Sequence, residues 1–164
     1  MKRVIIVRHA KAVPYGYEDD FSRDLRDRGK NDAKQISTEL QKRNIKPDII
    51  IASPAKRALK TARIFAENLS FSKKEIIENR DIYNAPTTEE FIEMINNLPQ
   101  NTETTLFFGH NPGFYYFVNN LLGNFNGDMP TCSTVAIDFD VELWTEIEAR
   151  TGKLAFQIVP RMFK

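Results

Sequence analysis

The sequence predicts an α/β fold, a single-domain three-layer sandwich in which a mostly parallel sheet of about six strands has helices on both faces. Short apolar runs alternate along the chain with stretches whose apolar residues recur at helical spacing, as in such folds. No break in composition, internal repeat or low-complexity segment interrupts the alternation. A chain of 164 residues suits one domain with one substantial core, so we expect residues 1–164 to form one domain.

The first half of the chain is expected to hold three strands and two helices. The strands are predicted at residues 4–7, 48–52 and 76–77, and a long polar connection covers residues 11–30. The first helix should end near Asn44, before Pro47. The buried faces of the two helices are predicted from apolar residues at helical spacing, Ala33, Ile36 and Leu40 in the first and Ala58, Ala62, Phe65 and Leu69 in the second.

The second half of the chain is also expected to alternate between helices and strands. Thr87 and Glu90 have the spacing of a capping box, which predicts that a helix begins there. Its buried face is predicted from Phe91, Ile95 and Leu98. A strand at 104–108 precedes a helix that runs from Pro112 to Gly123. Two further strands are predicted at 134–139 and 154–159, the second ending at Pro160.

Composition excludes several classes of function. The 23 basic and 22 acidic side chains nearly cancel, so the chain lacks the basic field on which nonspecific nucleic-acid binding depends. No apolar stretch approaches the roughly 20 residues of a membrane span, and the apolar run after Met1 is too short for a signal peptide. The single Cys132 is expected to be a buried structural thiol. We therefore expect a soluble, cytoplasmic protein that binds neither nucleic acid nor membrane.

Both histidines of the chain follow an apolar run that ends in a turn. His9 comes after Arg8 at the end of the first predicted strand, and His110 follows the fourth. The second strand leads into Ser53 and then Arg57. Ligands of open α/β sheets bind outside the carboxyl ends of the strands, so we expect these side chains to share one pocket. Two guanidiniums and two imidazoles suit a multiply charged anion, and a tetrahedral phosphoryl group matches the fork of arginine.

The residue types also predict a reaction. Neighbouring cations disfavour the imidazolium form, so His9 is expected to be neutral and able to attack phosphorus. Arg8 and Arg57 would hold the equatorial oxygens, His110 would add a hydrogen bond once the bound anion has protonated it, and Ser53 would add a neutral one. The product of the attack is a phosphohistidine enzyme that water hydrolyses.

Each residue taken alone has a structural alternative. A single histidine at a strand end is often a half-buried structural side chain, and Arg57 could belong to a solvated helix face with Lys56 and Lys60. Metal binding is disfavoured because two histidines and one cysteine lie far apart with no clustered carboxylates. We expect neither a metal site nor a cofactor.

Three motifs occur in the order Val4-Ile5-Ile6-Val7-Arg8-His9-Ala10, Ser53-Pro54-Ala55-Lys56-Arg57-Ala58-Leu59-Lys60-Thr61-Ala62 and Gly109-His110-Asn111-Pro112. They resemble those of the histidine phosphatase superfamily, also called phosphoglycerate mutase-like, and within it the SixA-type phosphohistidine phosphatases. The resemblance implies the phosphoglycerate mutase-like sandwich, with His9 as the phosphorylated nucleophile and Arg8, Arg57 and His110 completing the phosphate pocket. Asn111 joins Arg8, Ser53 and Arg57 as a predicted substrate-binding residue.

Two departures from the superfamily pattern bear on function. Ala10 stands where glycine is usual, which affects backbone geometry more than chemistry. No motif singles out the general acid that mutases and many phosphomonoesterases use, although Glu78, Asp81, Glu89 and Glu90 lie in the relevant stretch. An alkoxide leaving group needs a proton from such an acid, whereas a phosphoramidate nitrogen can arrive protonated and leave as neutral imidazole. This difference favours phosphohistidine over phosphate esters.

The predicted substrate is therefore phosphohistidine on a phosphotransfer protein. The connection at residues 11–30, with Tyr15, Tyr17 and Phe21 among charged residues, would be the rim that contacts this partner, or an ordinary solvated loop. A small-molecule phosphomonoesterase or mutase on the same scaffold is one alternative. A noncatalytic phosphate-binding module, in which Ala10 marks a degraded site, is the other.

Overall fold

Six strands form one sheet in the computed structural model, which describes residues 1–14, 16 and 19–164. The strands lie in the order β3-β2-β4-β1-β5-β6, with β1 to β4 mutually parallel and β5 and β6 antiparallel to their neighbours. The expected mostly parallel sheet is confirmed, and each strand lies within about two residues of its predicted position. The bounds are β1 Lys2–Arg8, β2 Ile49–Ala52, β3 Ile77–Glu78, β4 Thr104–Gly109, β5 Thr134–Phe139 and β6 Lys153–Ile158.

The helices cover both faces of the sheet. Their bounds are α1 Asp27–Lys42, α2 Lys56–Asn68, α3 Arg80–Tyr83, α4 Thr88–Asn96 and α5 Gly113–Leu122. The capping box of Thr87 and Glu90 at the start of α4 is present, with both hydrogen bonds formed. Short 3₁₀ turns occur at Asp20–Ser22, Lys73–Glu75, Trp144–Glu146 and Pro160–Phe163.

One prediction about local structure was wrong, and one short element was not predicted. The connection predicted over residues 11–30 ends earlier, because α1 begins at Asp27. Gly29 lies inside this first helical turn, where a Cβ atom would come within 2.2 Å of the carbonyl oxygen of Lys11, so the close approach of two segments requires glycine there. The single turn α3 was not predicted, since four residues are too few for a helical stripe; the side chain of Asn79 caps it through the N–H of Asp81.

The sheet separates the core into two layers, and the central strand β1 contributes side chains to both. Val4 and Ile6 pack in the apolar cluster that contains residues of α4 and α5, and Ile5 and Val7 pack in the cluster that contains residues of α1 and α2. Successive side chains of a strand point to opposite faces, so a continuous apolar run is what a strand covered on both faces requires.

Cys132 is buried, as expected, and burial raises the pKa of its thiol. In the described ranges, none of the helices has both the length and the apolar character that crossing a bilayer requires.

Candidate active site

The carboxyl ends of β1, β4 and β2 lie side by side in the sheet. Arg8 is the register partner of Gly109, and the N–H of His9 donates to the carbonyl of Gly109 at 3.0 Å. On the other side of β4, the N–H of Ser53 donates to the carbonyl of Phe108 at 2.9 Å. The parallel pairing therefore brings three distant sequence motifs to one edge of the sheet.

His9 is held in one tautomer. Its Nδ1–H donates to the carbonyl of Ala10 at 2.8 Å, which leaves Nε2 as the unprotonated ring nitrogen. The residue is only 9% exposed. Its pKa is lowered to about 4, mainly by this burial and in addition by the cations of Arg57, Arg8 and Arg23, while the hydrogen bond to the Ala10 carbonyl acts in the opposite direction. The sequence indicated the effect of the cations, but burial is the larger cause. His9 is neutral at pH 7.

His110 lies beside His9, with 5.4 Å between the ring centroids. Its Nε2 is 2.7 Å from the hydroxyl oxygen of Ser53. Burial, together with the neighbouring His9 and Arg57, lowers the pKa of His110 to about 3. Without a bound anion, both imidazoles are neutral.

The two arginines enter the site from different elements. Arg8, at the end of β1, donates through Nη1 to the carbonyl of Met129 at 2.9 Å. Arg57, in the first turn of α2 and only 6% exposed, donates to Asp20 through both Nη atoms. Its burial is incompatible with the solvated helix face that was the alternative for this residue.

Three buried nitrogens of these side chains have no hydrogen-bond partner among residues 1–14, 16 and 19–164. They are Arg8 Nε, Arg57 Nε and His110 Nδ1. A buried donor without a partner costs about 1–3 kcal/mol, so such groups are rare unless a ligand satisfies them. An anion with several oxygens could accept hydrogen bonds from all three.

Ser53 and Asn111 both hold their neighbours in place. The Ser53 hydroxyl is fully buried between His110 and the N–H of Ala55, which donates to it at 3.2 Å. Asn111 donates to the carbonyl of Met129 at 2.9 Å and accepts from the N–H of Tyr115 at 3.2 Å. Asn111 also lines the cavity described next, whereas the Ser53 hydroxyl is already used by His110 and Ala55.

A cavity of about 420 Å³ opens at this edge of the sheet. Arg57, His110 and Asn111 lie along its polar side. His9 and Arg8 are not among its lining residues: His9 lies against the ring of His110, and Arg8 shares the Met129 carbonyl with Asn111. The rest of the wall is mostly apolar and comes from α3, the segment after it and α5, namely Ile82, Tyr83, Asn84, Ala85, Pro86, Pro112, Gly113, Phe114 and Phe117. Such a wall suits an organic leaving group attached to a phosphoryl group.

The four acidic residues considered as general acids do not line this cavity. Glu78, Asp81, Glu89 and Glu90 are all exposed, and Glu90 is engaged in the capping box of α4. Among the described residues, the carboxylate that lines the cavity is that of Asp20, from the long connection between β1 and α1.

Asp20, Arg23 and Tyr83 were missed by sequence reasoning. Asp20 Oδ2 accepts from Tyr83 at 2.8 Å and from Arg57 at 3.0 Å, and Oδ1 accepts from Arg23 at 3.0 Å. Burial acts to raise the pKa of Asp20, but these three hydrogen bonds lower it to about 2. The sequence signal for these residues was the pair Asp19-Asp20 just before Arg23. It places acidic and basic side chains in the connection that follows the strand carrying Arg8 and His9.

Ion pairs bind this connection to the start of α2. Asp24 lies 2.8 Å from Lys60 and 3.4 Å from Lys56, the two lysines that flank Arg57 in sequence. Phe21 contacts Tyr83 edge to face, with the guanidinium of Arg80 over its ring. Of the three aromatic residues predicted to form a rim, Phe21 packs against Tyr83, which lines the cavity, while Tyr15 and Tyr17 fall outside the described residues.

Comparison with solved structures shows the same fold over nearly the whole chain. A protein from Agrobacterium tumefaciens assigned as phosphohistidine phosphatase SixA has a TM-score of 0.82 at 23% identity, over 97% of this chain and 98% of that one. Protein histidine phosphatase SixA complexed with tungstate has a TM-score of 0.78 at 18% identity, over 99% of both chains.

The relatives found by sequence similarity match a shorter part of this chain than the solved structures do. Phosphoserine phosphatase 1 of Hydrogenobacter thermophilus is 37% identical over 100 residues, 57% of this chain and 46% of its own. The mitochondrial serine/threonine-protein phosphatase Pgam5 of Drosophila yakuba is 33% identical over 76 residues, 46% of this chain and 26% of its own. This chain matches less than half the length of either relative.

The family model of the histidine phosphatase superfamily (branch 1) matches residues 4–114, which carry all three motifs and both histidines. This match agrees with the three strand ends that carry the motifs, with the neighbouring histidines and with the SixA-like fold. The chain therefore belongs to the histidine phosphatase superfamily, branch 1.

Proposed function

We propose that this protein is a phosphatase that forms a phosphoenzyme at His9 Nε2 and acts on phosphohistidine carried by a phosphotransfer protein. The observation that carries the proposal is the set of three buried, unpartnered nitrogens on Arg8, Arg57 and His110 around a neutral histidine. They supply donors for the oxygens of a phosphoryl group, and His9 supplies the lone pair.

The reaction proceeds in two displacements. In the first, His9 Nε2 bonds to phosphorus while the bond from phosphorus to the substrate's leaving atom breaks, and the electron pair leaves with that atom. In the second, water attacks the phosphorus of phospho-His9; the P–N bond breaks and its electron pair returns to Nε2. The hydrogen bond from Nδ1–H to the Ala10 carbonyl holds the ring in place through both steps.

His110 acts as a donor to the phosphoryl oxygens. Ser53 Oγ already accepts from Ala55, and by donating its own proton to His110 Nε2 it fixes the neutral tautomer that carries hydrogen at Nδ1. Arg8 and Arg57 spread positive charge over the equatorial oxygens, where the transition state develops negative charge. A bound anion also favours protonation of His110, which strengthens its hydrogen bond.

The choice of phosphohistidine depends on the leaving group. The oxygen of an alkyl ester leaves as an alkoxide and needs a proton from a positioned acid, and Asp20, the described carboxylate of the cavity, is ionised at neutral pH. An N-phosphorylated imidazole whose second nitrogen carries a proton leaves as neutral imidazole and needs no acid. The SixA-like fold over the whole chain supports the same choice.

Hydrolysis of small phosphomonoesters is the second candidate. It is favoured by the 37% identity to a phosphoserine phosphatase over 100 residues. Aryl phosphates leave readily without an acid, so their hydrolysis alone does not distinguish the candidates. A serine ester leaves as an alkoxide, and its hydrolysis at a rate comparable to that of phosphohistidine would favour the second candidate.

The test is rapid mixing of the protein with a phosphohistidine-bearing phosphotransfer domain, with acid-labile phosphate on the enzyme and free phosphate measured together. We expect transient label followed by release, both lost in His9→Gln. The variant should still bind inorganic phosphate, because its arginines are intact. Absence of label and release in protein that hydrolyses phosphoserine would overturn phosphohistidine as the substrate.

A further inference from the structure

The cavity places one carboxylate between the phosphoryl site and the apolar wall. Asp20 contacts Arg57 at the phosphoryl end and Tyr83 on the wall, and its side chain is 38% exposed. A carboxylate beside an anion-binding site repels the phosphoryl group, so its presence there needs a reason other than phosphate binding.

The hydrogen bonds of Asp20 leave acceptor capacity unused. An ionised carboxylate has about four lone-pair positions. Oδ2 accepts from Arg57 and Tyr83, and Oδ1 accepts from Arg23. Three positions are filled by donors of the described residues, and about one remains on Oδ1.

The three donors also determine what Asp20 can do chemically. They keep the carboxylate ionised far below neutral pH, so it has no proton to give to an ester oxygen. It can only accept a hydrogen bond, and it attracts a group that carries positive charge.

We infer that Asp20 selects substrates whose leaving group is a protonated nitrogen heterocycle, by accepting a hydrogen bond from the ring N–H that is not phosphorylated. This inference rests on the proposed function and assigns the discrimination between nitrogen-linked and oxygen-linked phosphate to one residue.

The step balances with the groups present. His9 Nε2 bonds to phosphorus, the P–N bond of the substrate breaks, and its electron pair returns to the substrate ring. The proton on the other ring nitrogen stays there, held by Asp20, and the leaving group departs as neutral imidazole. An oxygen-linked substrate offers no such N–H, so it gains nothing from Asp20.

The experiment compares N-phosphoimidazole with an aryl phosphate in the wild type and in Asp20→Asn. We expect the ratio of kcat/KM for phosphoimidazole to kcat/KM for the aryl phosphate to fall roughly tenfold to a hundredfold, as for loss of a hydrogen bond to a charged group. The aryl phosphate rate reports any change that the substitution causes at Arg57 itself. Asp20→Ser, which also removes the charge, should change the ratio in the same direction.

The pH profile supplies a second measurement. The alkaline limb of the kcat profile for phosphoimidazole reports loss of the ring proton from the bound substrate. The negative charge of Asp20 raises the pKa of this ring, so Asp20→Asn should move the limb to lower pH. The limb for the aryl phosphate should not move.

Asp24→Asn is the matched control, because Asp24 lies in the same connection but pairs with Lys56 and Lys60. We expect its substrate ratio to stay within about twofold of the wild type. An equal loss on both substrates in Asp20→Asn would overturn the inference and make Asp20 a support for Arg57. An equal gain on both would make Asp20 a competitor of phosphate for Arg57, which also overturns it.

Failure of the proposed function gives a different result. A wild-type protein that hydrolyses the aryl phosphate but neither phosphoimidazole nor phosphohistidine contradicts the proposed substrate. A wild-type protein that hydrolyses phosphoimidazole, with an unchanged ratio in Asp20→Asn, contradicts only the role given to Asp20.

Discussion

The hydroxyl of Thr61 accepts a hydrogen bond from the backbone N–H of Ala10 at 3.0 Å, in the fully buried space between β1 and α2. The same hydroxyl donates to the carbonyl of Arg57 at 2.7 Å, one turn earlier in α2. Because the Ala10 carbonyl accepts from His9, one buried oxygen connects the segment that orients His9 with the helix that carries Arg57.

Replacement of Thr61 by valine tests this connection. Valine keeps the shape but leaves the Ala10 N–H without an acceptor, so the free energy of unfolding should fall by about 1–3 kcal/mol. We also expect kcat to fall, because the Ala10 carbonyl that orients His9 is less well held. Thr61→Ser should restore both, as measured by denaturant unfolding and steady-state kinetics. Equal kcat in the valine and serine variants would show that Thr61 has no role in positioning His9.

The two histidines should titrate far below their usual range. Burial and neighbouring cations lower the pKa of His9 to about 4 and that of His110 to about 3. NMR titration of the two ring Cε1–H signals, assigned with His110→Gln, measures both values directly. Added phosphate should raise both, since a bound anion favours the protonated ring. Midpoints near 6.5 for both signals would contradict the environment described for these side chains.

Stability should depend on pH through the same groups. Below the ordinary histidine pKa of 6.5 the unfolded chain takes up a proton at His9, whereas the folded protein does so only near pH 4. The free energy of unfolding therefore falls as pH decreases from about 6.5 to 4, by up to about 1.4 kcal/mol per pH unit for His9. His9→Gln should reduce this slope between pH 6.5 and 5, measured by denaturant unfolding. An unchanged slope would mean that His9 titrates normally in the folded state.

Ala10 should be fully compatible with activity. It is completely buried and is not among the described residues with a positive φ, so its methyl group fits where the superfamily usually has glycine. Ala10→Gly removes a buried methyl group and adds backbone freedom, and should destabilise the protein by about 1–2 kcal/mol. Turnover should change by less than about threefold. A large gain in turnover would instead identify Ala10 as a mark of a degraded site.

Phe21 should matter for a protein substrate and not for a small one. It packs against Tyr83, which lines the cavity, and the guanidinium of Arg80 lies over its ring. Phe21→Ala should raise KM for a phosphotransfer protein several-fold and leave turnover of a small phosphoramidate within about twofold, because the small substrate does not reach the rim. Equal loss on both substrates would assign Phe21 to the support of Tyr83 instead.

Local sequence patterns were sufficient for most of the fold. Apolar runs predicted the positions of all six strands. For β1, β2, β4 and β5 the reason is that a strand covered on both faces must be apolar at successive positions, as Ile5 and Ile6 show. β3 and the first half of β6 are exposed and are not covered in this way. The start of α1 was predicted too late because the contact between Gly29 and Lys11 joins residues far apart in sequence. The antiparallel pairing of β5 with β1 and with β6 was not predicted, since the direction of a strand is not encoded in its own residues.

By itself, the sequence determined which residue types stand at the ends of three strands, and the known geometry of parallel sheets predicts that His9, Arg57 and His110 meet. Only the tertiary structure decided what surrounds them. Burial sets the pKa values of both histidines, and Asp20 reaches Arg57 from 37 residues away in the chain. Burial and contacts of this kind depend on how connections pack over the sheet, and their residues share no local pattern from which the contact could be predicted.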